Sequence, residues 1–263
     1  NSIFKNEREN LESKWNDIKV VIEYGMLTED KFYDKAESFN LYPTVDDKYF
    51  TYEELEKKIK KLQTDKDGNL IILYAQNKDE QYTYIESAKE KGYEVLLLDS
   101  PIIPHLMQKL ESKKEKIKFS RVDSDTLENL IKKDEEVISK LTDEEKEKLK
   151  PMIETAVENE KYTVQLEALD SNSMPFMLAQ PEFMRRMKEM QQTGGGAMGN
   201  LPDMYSLIVN TNHELVGKIL NTRTEKKRNS LIKQSIDLAK LSQNNLTGKD
   251  LTEFINRSID LIK

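Results

Sequence analysis

Two short, uninterrupted apolar runs constrain the fold of this chain more than anything else in it. Leu70, Ile71, Ile72, Leu73 and Tyr74 form one, and Val95, Leu96, Leu97 and Leu98 form the other. Runs of this length, bounded by turn signals and lacking polar alternation, suit strands buried on both faces. The Asp65 to Gly68 turn precedes the first run. A stretch of helical character from about Lys78 to Lys91 separates the two, and Gly92 closes it. The spacing therefore predicts a βαβ unit, which implies a parallel sheet and a right-handed crossover.

Such a unit invites a search for a nucleotide site at the end of its first strand. The turn there runs from Ala75 to Asp79 and contains no glycine to let a phosphate approach the backbone, so that chemistry is not supported. Asp99 and Ser100 end the second run without a nearby histidine to act as a base, and read as a turn into Pro101. His105 and His213 lack metal-ligand spacing to one another. No catalytic residue and no metal ligand is nominated. Cysteine is absent, which excludes disulfides and thiolate metal sites and permits a reducing compartment. The net charge of -7 argues against a general nucleic-acid or anionic-membrane binder, since both need a basic face. No apolar run approaches membrane-spanning length and no signal peptide is visible. The chain begins at Asn1 rather than methionine, compatible with a piece of something longer.

At 263 residues the chain is long enough for two domains with separate cores. Ahead of the βαβ unit, Trp15, Ile18 and Ile22 recur at helical spacing, with Tyr24 and Gly25 as a stop and a second helix starting near Thr28. Lys48 to Thr51 reads as extended and Tyr52 to about Leu62 as a charged helix. From Glu111 to Lys150 the sequence turns to paired acids and lysines, read as solvated helix faces. A domain boundary is expected near Ser139 to Thr142, where Thr142 and Glu145 form a capping-box pattern for a helix to about Asn159, with Pro151 inside it. Beyond it, Tyr162 to Ala168 alternates as a strand, Phe176 to Leu178 extends or pairs with it, and Tyr205 to Val209 is another. Asn210 to Leu215 caps a short helix. The fold class expected is α+β / α/β: helices plus a small βαβ subdomain over 1–140, then an α+β domain over 141–263.

Five of the ten methionines fall between Met174 and Met190. Pro181 and Glu182 suit the start of a helix that runs to about Gln192. On it Phe183, Met184, Met187 and Met190 make an apolar stripe opposite Arg185, Lys188 and Glu189. Unbranched, polarisable methionines suit a surface that adapts to many partners better than they suit a core. Gly194, Gly195, Gly196 and Gly199 follow, as a loose tether.

Two helices close the chain, about Lys226–Ser242 and Lys249–Ile262. Leu251, Phe254, Ile255, Ile259 and Ile262 form one stripe on the second, while Leu231, Ile232, Ile236, Leu238 and Leu241 spread over more than one face of the first. A single helix pair leaves apolar area uncovered. The two helices are therefore expected to build a four-helix bundle with their two-fold copies, making a homodimer.

Three stretches then resemble one family in its own order and spacing: Lys91 to Leu96 in its βαβ setting, the Met184-Arg-Arg-Met-Lys-Glu-Met190 helix, and Asn210-x-x-His213 after a strand. The family is that of the ninety-kilodalton heat-shock chaperones in their bacterial form, and the resemblance covers essentially the whole chain. It implies that 1–140 is the C-terminal part of a middle domain and 141–263 a dimerisation domain. It implies an ATP-driven, dimeric, cytoplasmic chaperone whose ATP and magnesium bind elsewhere, so that this chain holds no cofactor and is not itself an enzyme. Client proteins are implied to touch Phe183, Met184, Met187 and Met190, and a second patch at His105, Leu106 and Gln108, although a tryptophan found in some relatives at His105 is missing. The acidic tail that recruits co-chaperones in eukaryotic members does not follow Lys263, so partners of that tail are not expected; neither are nucleic acid or membrane. The alternative is a structural dimerisation or scaffold module whose methionine stripe is packed away.

Overall fold

The computed structural model describes residues 7–135, 137–157, 161–194 and 204–262, without the side chains of 192–194, 261 and 262. Gly195, Gly196 and Gly199 lie outside the described residues, as does the Ile262 side chain. The chain forms two compact units: 1–133 with 182–201, and 134–181 with 202–263.

Unit 1 begins with α1 (Arg8–Thr28) and α2 (Asp30–Ala36). The helix stop expected at Tyr24 and Gly25 does not occur, because α1 runs straight through them. Gly25 has a different use: a Cβ there would lie 2.8 Å from the Phe32 ring, so the missing side chain lets α2 fold back tightly on α1. A two-residue hairpin pair, β1 (Tyr42–Pro43) and β2 (Tyr49–Phe50), leads into α3 (Tyr52–Gln63). Thr51 and Glu54 close a capping box at its start. Glu54 also takes Arg8 Nη1 at 2.5 Å and Nη2 at 2.8 Å, which holds its carboxyl down at about 2.

The expected βαβ unit is present as β3 (Leu70–Ala75), α4 (Tyr82–Glu90) and β4 (Val95–Leu97), with β3 and β4 parallel and Leu73 opposite Val95. All six residues of β3 are buried, because it is the central strand. Its other neighbour is β5 (Ile117–Arg121), also parallel, reached through α5 (Ile103–Lys113). This strand corrects the reading of that region as solvated helix: Ile117 and Phe119 point into the core, while Lys118 is exposed. The core of unit 1 packs Ile72, Tyr74 and Leu96 of the sheet against Met26 and Tyr33 of the first helices, Leu55 and Ile59 of α3, and Ile103, Leu106, Met107 and Leu110 of α5. A short helix, α6 (Leu127–Leu130), follows the sheet.

Unit 2 opens with α7 (Asp143–Val157), whose start is closed by Thr142 and Glu145 in the expected capping box, at 2.9 and 3.3 Å. Its sheet has the order β6-β8-β7, from β6 (Tyr162–Glu167), β7 (Phe176–Ala179) and β8 (Tyr205–Asn210). β6 runs parallel to β8 and β7 antiparallel to it. Alternation along these strands puts Val164, Phe176, Leu178, Leu207 and Val209 into a core with Leu149 and Ile153 of α7. Three helices complete the unit: α9 (Glu214–Asn221), α10 (Glu225–Ser242) and α11 (Gly248–Ile262). His213 caps α9, its Nδ1 accepting the Leu215 N–H at 3.0 Å.

Candidate functional site

The methionine-rich helix is α8 (Glu182–Gly194), and in space it belongs to unit 1, although the strands on either side of it, β7 and β8, pair in unit 2. Amphipathic helices ordinarily dock through their apolar face. This one docks through its charges. Arg185 is only 3% exposed, whereas Phe183 is 70% exposed, and Met184, Met187 and Met190 are half-buried.

The docking is a connected set of charged hydrogen bonds. The Glu182 carboxylate accepts from four donors at once: the Tyr74 hydroxyl at 2.7 Å, the Arg121 backbone N–H at 3.0 Å, Arg185 Nη2 at 2.6 Å and Arg186 Nε at 2.6 Å. Arg186 reaches further, to Glu111 of α5 at 2.8 Å and to the Phe119 carbonyl of β5 at 2.5 Å. Glu111 in turn accepts the Phe119 N–H at 2.7 Å. Arg185 also donates to the Tyr74 hydroxyl and to Glu189. Alongside, Arg121 is held by Asp123 at 2.5 Å and by Gln76 at 3.0 Å.

The electrostatics follow from this geometry. Burial alone would raise the Glu182 carboxyl, but Arg185, Arg186, the Arg121 N–H and Tyr74 together hold it below the usual carboxylate range. Burial pushes the Tyr74 hydroxyl strongly up, and the adjacent Glu182 adds to that. Arg185 and Arg186 lose hydration yet are kept cationic by Glu182, Glu189 and Glu111. Breaking this largely shielded cluster from one side leaves the remaining charges poorly hydrated without their partner, the more so for Arg185, which is almost fully buried.

The spacing of Glu182, Arg185, Arg186 and Glu189 places them on one side of the helix, leaving Phe183, Met184 and Met187 on the other flanks. The structure thus keeps the expected stripe but makes the face opposite it the anchored one. Tyr74, Glu111 and Arg121 were not singled out by sequence; only the Glu-x-x-Arg-Arg spacing inside the helix hinted at a charged cluster.

The second patch divides. His105 is half-buried and Gln108 is exposed on α5, but Leu106 is 0% exposed among Ile103, Met107 and Leu110. Leu106 is a core residue, and its proposed contact role is corrected on that ground: no partner reaches it while α5 is packed.

The C-terminal stripe divides similarly. Ile232 and Ile236 lie in the unit 2 core, and Phe254 is 9% exposed within the single chain, so these three are internal packing residues rather than free surface. Leu231 and Leu251 are half-buried. Ile255 and Ile259 on α11 remain about half exposed, together with Leu238 and Leu241 on α10. Between the two helices Asp237, fully buried, is paired with Arg257.

Among the described residues, no group of three or more histidine or carboxylate side chains is arranged to hold a metal, and no helix is long and apolar enough to cross a membrane.

No family model matches the chain. Individual proteins do: the chaperone protein HtpG of Bacteroides thetaiotaomicron is 38% identical over 99% of this chain and 48% of its own length. That of Porphyromonas gingivalis is 41% identical over 91% of this chain and 36% of its own length. The chain belongs to the HtpG chaperone family. It spans about half the length of the HtpG relatives it matches, in their C-terminal part. On α8 and on the α10–α11 pair apolar side chains stand clear of the cores, Phe183 on the first and Leu238, Leu241, Ile255 and Ile259 on the second, as Val21 and Ile138 do elsewhere.

Proposed function

We propose that this chain is the part of an HtpG chaperone that contacts client proteins and joins two protomers. One observation carries the client reading: α8 is anchored by its charged face, which leaves Phe183 exposed and part of the Met184 and Met187 surface open. Surface that the fold leaves open is available to a partner. Methionine and phenylalanine on one turn of helix adapt to varied apolar segments, and each contributes at most about 1.5–3 kcal/mol of burial. Ordering costs reduce that sum, so binding is weak and tolerant of sequence, as a chaperone requires. His105 and Gln108 supply a second, more polar contact. The exposed Ile255 and Ile259 face a two-fold copy in the dimer. Nucleotide and magnesium bind outside this chain, and the chain itself is not an enzyme.

The test is a Phe183→Ser, Met187→Ser chain, assayed by fluorescence anisotropy against a labelled, reduced and alkylated unfolded protein. Binding is expected to weaken about tenfold or more, from the loss of two apolar contacts, with little change in melting temperature. A large drop in melting temperature with unchanged binding favours the scaffold reading instead.

A further inference from the structure

A helix held by its apolar face hides that face, and a helix held by nothing has no preferred face at all. Helix α8 is in neither condition, because its anchor consists of Glu182, Arg185 and Arg186 meeting Tyr74, Glu111 and the Phe119 carbonyl. These contacts are directional, and they fix the rotation of the helix about its axis as well as its position. Arg186 is the hinge pin of the set, since it alone joins the carboxylate of its own helix, the carboxylate of α5 and the backbone of β5. Tyr74 does the corresponding work from the sheet, its hydroxyl donating to Glu182 and accepting from Arg185.

We propose that this charged cluster is an orientation lock that controls client contact at α8. Locked, the helix presents Phe183, Met184 and Met187 as a preformed surface. Unlocked, it loses its fixed rotation, and a client must then order the helix as well as bind it, so affinity falls. Arg186 and Tyr74 are positioning residues: they act through the helix and touch no client. The control of contact rests on the reading of α8 as the client surface, whereas the lock itself does not.

The experiment uses the whole chain and two variants that strike the lock from opposite sides, Arg186→Gln and Tyr74→Phe, the second of which keeps the core shape. Amide hydrogen exchange over 183–191, read by mass spectrometry, is expected to quicken at least about tenfold in both, with exchange in β3 and β8 unchanged. Binding of the reduced, alkylated protein is expected to weaken in step, and Arg186→Lys, which keeps the charge, is expected to recover part of both. If 183–191 stays as protected as in the parent chain in both variants, there is no lock. If the segment loosens while binding is unchanged, control of contact is overturned. The Phe183→Ser, Met187→Ser chain separates the two readings, because it is expected to lose binding with α8 still protected.

Discussion

Two carboxylates in unit 1, Glu182 largely shielded from solvent and Glu23 buried, show how the same group acts in opposite directions. Glu182 is supplied with four donors, and its lowered pKa means that its contribution is fully present above the ordinary carboxylate value and is lost as pH falls through its own. Glu23, on α1, is buried, and its Oε2 has no hydrogen-bond partner. Burial raises its pKa despite the opposing pull of Ser100 and Lys19. A raised carboxyl is an energetic cost at neutral pH, where the unfolded chain holds it charged and solvated, and the cost fades as pH falls toward the unfolded value of about 4.3. Glu23→Gln is therefore expected to raise the melting temperature at pH 7 by a few degrees, the gain shrinking to nothing near pH 4. Melting curves at several pH values check this, and a variant that is less stable at pH 7 contradicts it.

At the scale of elements, the C-terminal helix pair offers the sharpest test. Phe254 is packed inside its own protomer, so replacing it confuses folding with association. Ile255 and Ile259 are about half exposed and free of that problem. Ile255→Asp with Ile259→Asp is expected to turn a dimer into a monomer in sedimentation equilibrium at tens of micromolar, with the circular dichroism of the helices retained. A parent chain that is already monomeric there removes the dimer reading. The same scale shows what sequence makes legible. β3 and β4 could be read because a strand covered on both faces must be apolar throughout. β5 was hidden by its own half-exposure: Lys118 and Arg121 sit in a lysine-rich stretch, and only Ile117 and Phe119 mark the alternation. The Gly25 stop failed because glycine marks close approach as often as termination, and the ring of Phe32 needed the space. The existence of α8 and the stripe on it were legible, while its docked face was not. Periodicity divides a helix into two sides, but the partners that decide which side is anchored, Tyr74, Glu111 and Arg121, lie 61 to 108 residues away.

At the scale of the whole chain, the three-stranded sheet of unit 1 resembles the start of a nucleotide-binding fold, yet the turn after β3 carries Gln76 and Asn77 where a phosphate loop needs glycine. The Gln81 side chain accepts from both of their backbone N–H groups, at 2.7 and 3.1 Å, so the donors a phosphate would use are already taken. Calorimetric titration with ATP and magnesium is expected to give no saturable heat, and micromolar binding would overturn the placement of the nucleotide site outside this chain.

The placement of α8 also has a consequence for the order of synthesis. A ribosome makes the sheet of unit 1 and α5 first, then α7, β6 and β7 of unit 2, and only afterwards Glu182 and the two arginines, about fifty residues beyond Lys133. Until then Tyr74 and Glu111 face a gap where their charged partners will stand. Unit 1 is thus finished by a segment translated after the next unit has begun, and nascent chains halted before residue 182 should be open to proteolysis along β5 in a way the completed chain is not.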